Sequence, residues 1–173
     1  MSTAATAASC ARWPSRAAEQ HRGPSRAREA DLSRSSRVPA GLFDSRPYGF
    51  SQVAVVATPL GDAVHVSGQV AWDAEQRIVG PGDIGRQLEK SLENLATALA
   101  SVGATLDQVG ALRLYIRQSH MREGKAIGAA LRKVFGDAPP CSTWIGVPSL
   151  ADEAFLIEVE PSVVYLANRQ PRA

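Results

Sequence analysis

Residues 138–147 read APPCSTWIGV, setting a thiol, Cys141, beside a hydroxyl, Ser142, two residues before Trp144. Either group becomes a nucleophile only when a general base lies against it. The three histidines are His21 in a polar leader, His65 in mid-strand and His120 at a helix start, and nothing in their spacing sets one beside Cys141. No Gly-x-Ser-x-Gly elbow surrounds Ser142. Cys141 is therefore expected to be a small buried packing residue. Further along, LIEVEP puts Glu158 and Glu160 on one face of a strand and Ile157 and Val159 on the other. Such a carboxylate can activate water, or it can stay solvated or pair with a base at an interface. Arg113, Tyr115 and Arg117 form a comparable polar stripe, able to supply a cation to an acidic ligand or to line a solvent-facing strand edge. No His, Cys and carboxylate cluster has metal-ligand spacing. VGPGDIG lacks the lysine and the strand-to-helix setting of a phosphate loop.

The elements that must position these groups follow from periodicity. QVAVVAT (52–58) and AVHVSGQVAW (63–72) are rich in β-branched residues and flank PLGD, which predicts a hairpin. QRIVGPGD predicts a short third strand and a turn. Leu88, Leu92, Leu95, Leu99 and Val102 recur at helical spacing, with Asp83 placed to cap the start and Gly103 to end the run. VGALRLYIRQ (109–118) alternates as a half-buried strand, and residues 121–135 repeat Ile127, Leu131 and Val134 as a second helix. STWIGV and AFLIEVEPSVVYL predict two last strands. The expected architecture is α/β in the α+β sense: a six-stranded mixed sheet with two helices packed on one face. Two helices leave the other face bare, so a homo-oligomer is expected.

Charge divides the chain near residue 45. Seven arginines stand against four acids in residues 1–45, whereas residues 46–173 hold twelve basic and thirteen acidic groups. The leader, rich in Ala, Ser and Arg, is expected to be disordered, with organellar import as the secondary reading. Residues 46–168 form the domain, and 169–173 a tail. A near-neutral domain has no electrostatic footprint for nucleic acid, and no apolar run approaches the length of a membrane span. Two cysteines in segments of different character give no disulfide framework, so a reducing, cytoplasmic setting is expected.

Taken together, YGFSQVAVV, VHVSGQVAWD, QLEKSLENLATALASVGATLDQVGALRLYIR, FGDAPPCSTWIGV and LIEVEPSVV resemble the Rid family, the YjgF-type reactive-intermediate deaminases, over about residues 47–166. The resemblance implies a chorismate-mutase-like trimer with a small-molecule cleft at each subunit interface. It also implies hydrolysis of imines or enamines such as 2-aminoacrylate to a keto acid and ammonia, with neither metal nor organic cofactor. Ser67, Gly68 and Glu158 match family cleft positions, Glu158 being the group that positions or activates water. The chain departs from the family elsewhere. The family arginine that holds a substrate carboxylate aligns with Ser142, its cleft tyrosine with Phe50, and a usually small side chain with Trp144. A neutral hydroxyl does not replace a bidentate guanidinium, because hydrogen bonds to charged groups contribute about 1.5–3 kcal/mol. The expected site is thus Glu158 as the catalytic residue, with Phe50, Ser67, Gly68, Arg113, Ser142 and Trp144 binding substrate. Two functions follow: a divergent enzyme acting on a non-carboxylate or bulky apolar metabolite, or a non-catalytic trimer that binds a small molecule or a protein.

Overall fold

The computed structural model describes residues 33–166 apart from 60 and 163. Seven strands and two helices succeed one another as β1 (Arg34–Arg37), β2 (Val53–Thr58), β3 (Gly61–Val66), α1 (Ile84–Ala100), β4 (Ala111–Arg117), α2 (Gly124–Phe135), β5 (Cys141–Val147), β6 (Ile157–Pro161) and β7 (Val164–Leu166). Strand order is β1-β2-β3-β7 in one sheet and β5-β4-β6 in the other. The three-stranded sheet is mixed, since β4 and β5 run parallel and β4 and β6 antiparallel, whereas the four-stranded sheet is antiparallel throughout.

Three features depart from the six expected strands. β1 lies within the segment read as a leader and pairs along β2, although its own side chains are exposed; residues 1–32 lie outside the described residues. Its contribution is backbone hydrogen bonding, which side-chain hydrophobicity does not report. The strand expected in QRIVGPGD reduces to one bridge between Trp72 and Ile78. The final apolar stretch splits near Ser162, sending β6 to one sheet and β7 to the other. The second helix also begins three residues later than its periodicity suggested, after a 3-10 turn at Gln118–His120.

Burial of one apolar stripe organises the core. Leu88, Leu92, Leu95 and Leu99 of α1 are 0% exposed and pack with Leu112, Leu114 and Ile116 of β4, Ile157 and Val159 of β6, and Ile127 of α2. The Asp83 carboxylate caps α1 by accepting from the Arg86 backbone N–H at 2.9 Å. Polar side chains inside this layer hold loops in place. Gln87 donates to the Ala154 carbonyl (2.8 Å) and accepts from the Leu156 N–H (2.9 Å), fastening the approach to β6 onto α1. Asn94 donates to the carbonyls of Val70 (2.9 Å) and Trp72 (2.8 Å), fastening the exit from β3.

Gln87→Leu keeps the volume but leaves a buried N–H and a buried carbonyl unpaired. At about 1–3 kcal/mol for each orphaned group, urea unfolding is expected to show a loss of about 2–6 kcal/mol. A loss below about 1 kcal/mol would mean that the loop before β6 does not depend on this contact.

Candidate functional site

The two sheets meet where β3 runs out. Gln69 and Val159 exchange backbone hydrogen bonds at 2.8 and 2.9 Å, fixing the segment after β3 against β6. Behind this junction the buried Gln69 amide donates to Gln52 (3.0 Å) and to the Ser67 carbonyl (2.8 Å), and Gln52 donates to the Phe43 carbonyl (3.4 Å). Alternation along the extended chain turns Gln69 inward. It leaves Gly68, Val70 and Trp72 along a cleft of about 650 Å³, with Phe43, Tyr48, Phe50, Ser67, Ala151, Asp152, Phe155 and Glu158 completing its lining.

Glu158 lies directly over Gly68. A β-carbon at 68 would overlap the nearer carboxylate oxygen and come within 2.7 Å of the carboxyl carbon, so glycine serves here for close approach. Among the described residues Glu158 has no hydrogen-bond or ion-pair partner. Burial pushes its carboxyl above the usual carboxylate range, and repulsion from Glu160 adds to the rise. Glu160, two residues on, accepts from the Tyr115 hydroxyl at 2.6 Å and from Arg113 at 3.3 Å. That carboxylate also holds the Tyr115 hydroxyl above its ordinary pKa. The two acids therefore differ: Glu160 is partnered and Glu158 is not.

Aromatic rings form the rest of the wall. Trp72 sits between Phe43 and Phe155, each with its ring centroid 5.0 Å away in edge-to-face geometry. Phe43 also contacts Phe50 and Tyr48 at 6.1 and 6.0 Å. Tyr48 accepts at its hydroxyl from Gln76 (2.8 Å), which occupies a left-handed turn position at φ 62°. The Ser67 hydroxyl donates to the Ser51 carbonyl at 2.8 Å, steadying the segment that carries Phe50.

Of the residues singled out from sequence, Phe50, Ser67, Gly68 and Glu158 share this cleft. Arg113 lines another groove with His65, Glu160, Pro161 and Ser162. Arg117 donates to the Glu153 carbonyl, on the loop carrying Asp152. Ser142 and Trp144 pair in register with Leu112 and Leu114, whose side chains face the helices, so both lie across the sheet from Glu158. Trp144 packs against Gly124 at the start of α2, and its indole N–H donates to the Ser142 hydroxyl at 3.2 Å. Cys141 is exposed rather than buried, because β5 is an edge strand. Trp72, Phe43, Phe155 and Asp152 were missed. The two-residue step from Gly68 through Val70 to Trp72 was a readable signal for the first; the others arrive from distant loops. Among the described residues no cluster of three or more His, Cys, Asp or Glu is arranged to hold a metal ion. No helix among them is long and apolar enough to cross a membrane.

Residues 45–165 match the family model described as endoribonuclease L-PSP. An uncharacterized protein of Streptomyces coelicolor is 27% identical over 124 residues, covering 72% of this chain and 87% of that protein. A Yersinia pestis protein of the conserved Rid family is 34% identical, with a TM-score of 0.56 over 77% of this chain and 98% of its own. A Mycobacterium tuberculosis member of the YjgF/YER057c/UK114 family is 25% identical, with a TM-score of 0.60 over 78% and 100%.

Ionising Glu158 opposes folding, because its folded pKa lies above the ordinary value of 4.5. That penalty is absent below the ordinary value and grows as pH rises through the raised one. Glu158→Gln is therefore expected to melt above wild type at about pH 8, with the gap closing toward pH 4.5. Identical melting curves across this range would show that the carboxylate is as well solvated as in the unfolded chain.

Proposed function

The chain belongs to the endoribonuclease L-PSP family, which includes the YjgF-type and Rid proteins, and from that premise we propose that it is a divergent, cofactor-free hydrolase of a small imine or enamine. The observation that carries this reading is the unpartnered Glu158 carboxylate held over Gly68 in an aromatic cleft. A raised carboxyl pKa suits general acid–base work nearer neutral pH than a free glutamate allows. In the proposed step Glu158 takes a proton from water as the oxygen adds to the C=N carbon. It then returns that proton to nitrogen, and as the carbinolamine collapses its hydroxyl proton also passes to nitrogen while the C–N bond breaks, releasing a carbonyl compound and ammonia or an amine; an enamine enters this path as its imine tautomer. Atoms balance with water as the only co-reactant.

The substrate is proposed to lack an α-carboxylate or to carry a bulky apolar body. Ser142 stands at the family's arginine position and bonds to Trp144. Phe50, at the tyrosine position, joins the ring cluster. The proposed assembly is a homotrimer. β5 offers a seven-residue edge bearing Ser142 and Trp144, and in such a trimer that edge of one copy faces the Glu158 cleft of the next. Arg113 is assigned to steadying Glu160. RNA as substrate is disfavoured by a cleft whose described lining holds Glu158 and Asp152 and no basic side chain. The missing arginine favours a second reading, a non-catalytic trimer that binds a metabolite or a protein. A cytoplasmic setting fits both.

One experiment separates the two readings. Ammonia release from 2-aminoacrylate and from aryl-substituted imines is measured for wild type, Glu158→Gln, Gly68→Ala and Ser142→Arg. The enzyme reading expects turnover of the bulky imines, with a loss of at least about 100-fold in Glu158→Gln. It also expects a comparable loss in Gly68→Ala, whose methyl displaces the carboxylate. Turnover absent from wild type and variants alike would leave the binding module; turnover only in Ser142→Arg would mean that the native protein has given up the reaction.

A further inference from the structure

The cleft combines two features that select the same ligand charge. Its floor holds the unpartnered Glu158, and Asp152 stands at its exposed margin, using one carboxylate oxygen to accept from the Ala154 N–H at 2.8 Å. Its walls are the rings of Phe43, Tyr48, Phe50, Trp72 and Phe155. Among the described residues no arginine, lysine or histidine lines it. Arg34 and Arg46 line the adjoining groove. Of these, Arg46 is held by Asp44 through two hydrogen bonds of 2.8 Å.

An anionic ligand would meet carboxylates and the negative faces of aromatic rings with no compensating cation among the described lining residues. A protonated nitrogen would meet the reverse. It could donate a charge-assisted hydrogen bond to Glu158 and lie over ring faces that attract cations. The volume, about 650 Å³, accommodates a ring with a short chain and is typical of small-molecule sites.

We propose that this cleft is a site for organic cations, namely an iminium ion or protonated amine on an aromatic or branched apolar body, with the nitrogen at Glu158 and the apolar body against Trp72 and Phe43. This inference rests on the reading of Glu158 as the functional carboxylate and adds the charge of the ligand to it. It also gives the missing cation at position 142 a chemical sense, since an arginine facing this cleft across a subunit boundary would repel such a ligand.

Three probes of one shape test the assignment on the full chain: 2-phenylethylamine, 2-phenylethanol and 3-phenylpropionate, titrated calorimetrically at about pH 8, where the amine is still charged and a glutamate ionised. The amine is expected to bind at least about tenfold more tightly than the alcohol, and the propionate most weakly. In Glu158→Gln the amine should fall to the affinity of the alcohol, whereas Trp72→Leu should weaken amine and alcohol together. Equal affinities for amine and alcohol, propionate that matches or displaces the amine, or no amine binding at millimolar concentration would each overturn the proposal. Wild type alone supplies these rankings, so a variant that failed to fold would not rescue it. Because binding is read apart from turnover, amine selectivity without imine hydrolysis would sink only the proposed reaction. Hydrolysis of carboxylate-bearing imines without amine binding would sink only this inference.

Discussion

The backbone exchange between Gln69 and Val159 is the constraint on which the rest of the cleft depends. Two hydrogen bonds of 2.8 and 2.9 Å join a four-stranded sheet to a three-stranded one. The candidate site residues directly precede the two junction positions, Gly68 before Gln69 and Glu158 before Val159. Because side chains alternate along an extended chain, turning Gln69 and Val159 into the core obliges their neighbours to face outward. The buried amides of Gln52, Gln69, Gln87 and Asn94 then hold the flanking segments from behind. A polar network in a core is worth having only when every member is satisfied, and among the described residues no buried side-chain polar atom lacks a partner.

The same junction places an acid where it is unfavourable for stability. Glu160 has a phenol and a guanidinium to stabilise its charge, whereas Glu158 has a glycine beneath it and rings beside it. Desolvation and the neighbouring negative charge both favour the protonated form of Glu158. A fold selected for stability alone would place an amide or an apolar side chain there. Retaining a carboxylate without a partner is the kind of local disagreement with packing rules that marks functional positions.

Edges explain the remaining departures from expectation. β5 pairs on one side only, which leaves Cys141 exposed, Trp144 37% exposed and Ser142 at the rim of the helix-covered face. In the proposed trimer this edge is covered by a neighbouring copy, and positions that the family resemblance placed in one cleft, separate within one chain, come together between two.

Sequence alone determined what local periodicity and residue chemistry determine. The leucine stripe of α1 requires a buried helix face, Asp83 caps it, and the alternation in LRLYIR and LIEVEP fixes which residues share a side of each strand. The order of these pieces was enough to reveal the family, and the resemblance named Ser67, Gly68 and Glu158 as cleft positions. Tertiary structure decided what depends on pairing between distant segments. It decided that RSSR, with no apolar side chain to announce it, is a strand because β2 offers it hydrogen bonds. It decided that one apolar run near the end divides between two sheets. The register of β5 on β4 decided that Ser142 and Trp144 face away from Glu158, since parity within a strand says nothing about the face until a neighbour is fixed. The ring wall of the cleft comes from residues 43 to 155, and only the closed fold brings neighbouring rings to centroid distances of 5.0–6.1 Å.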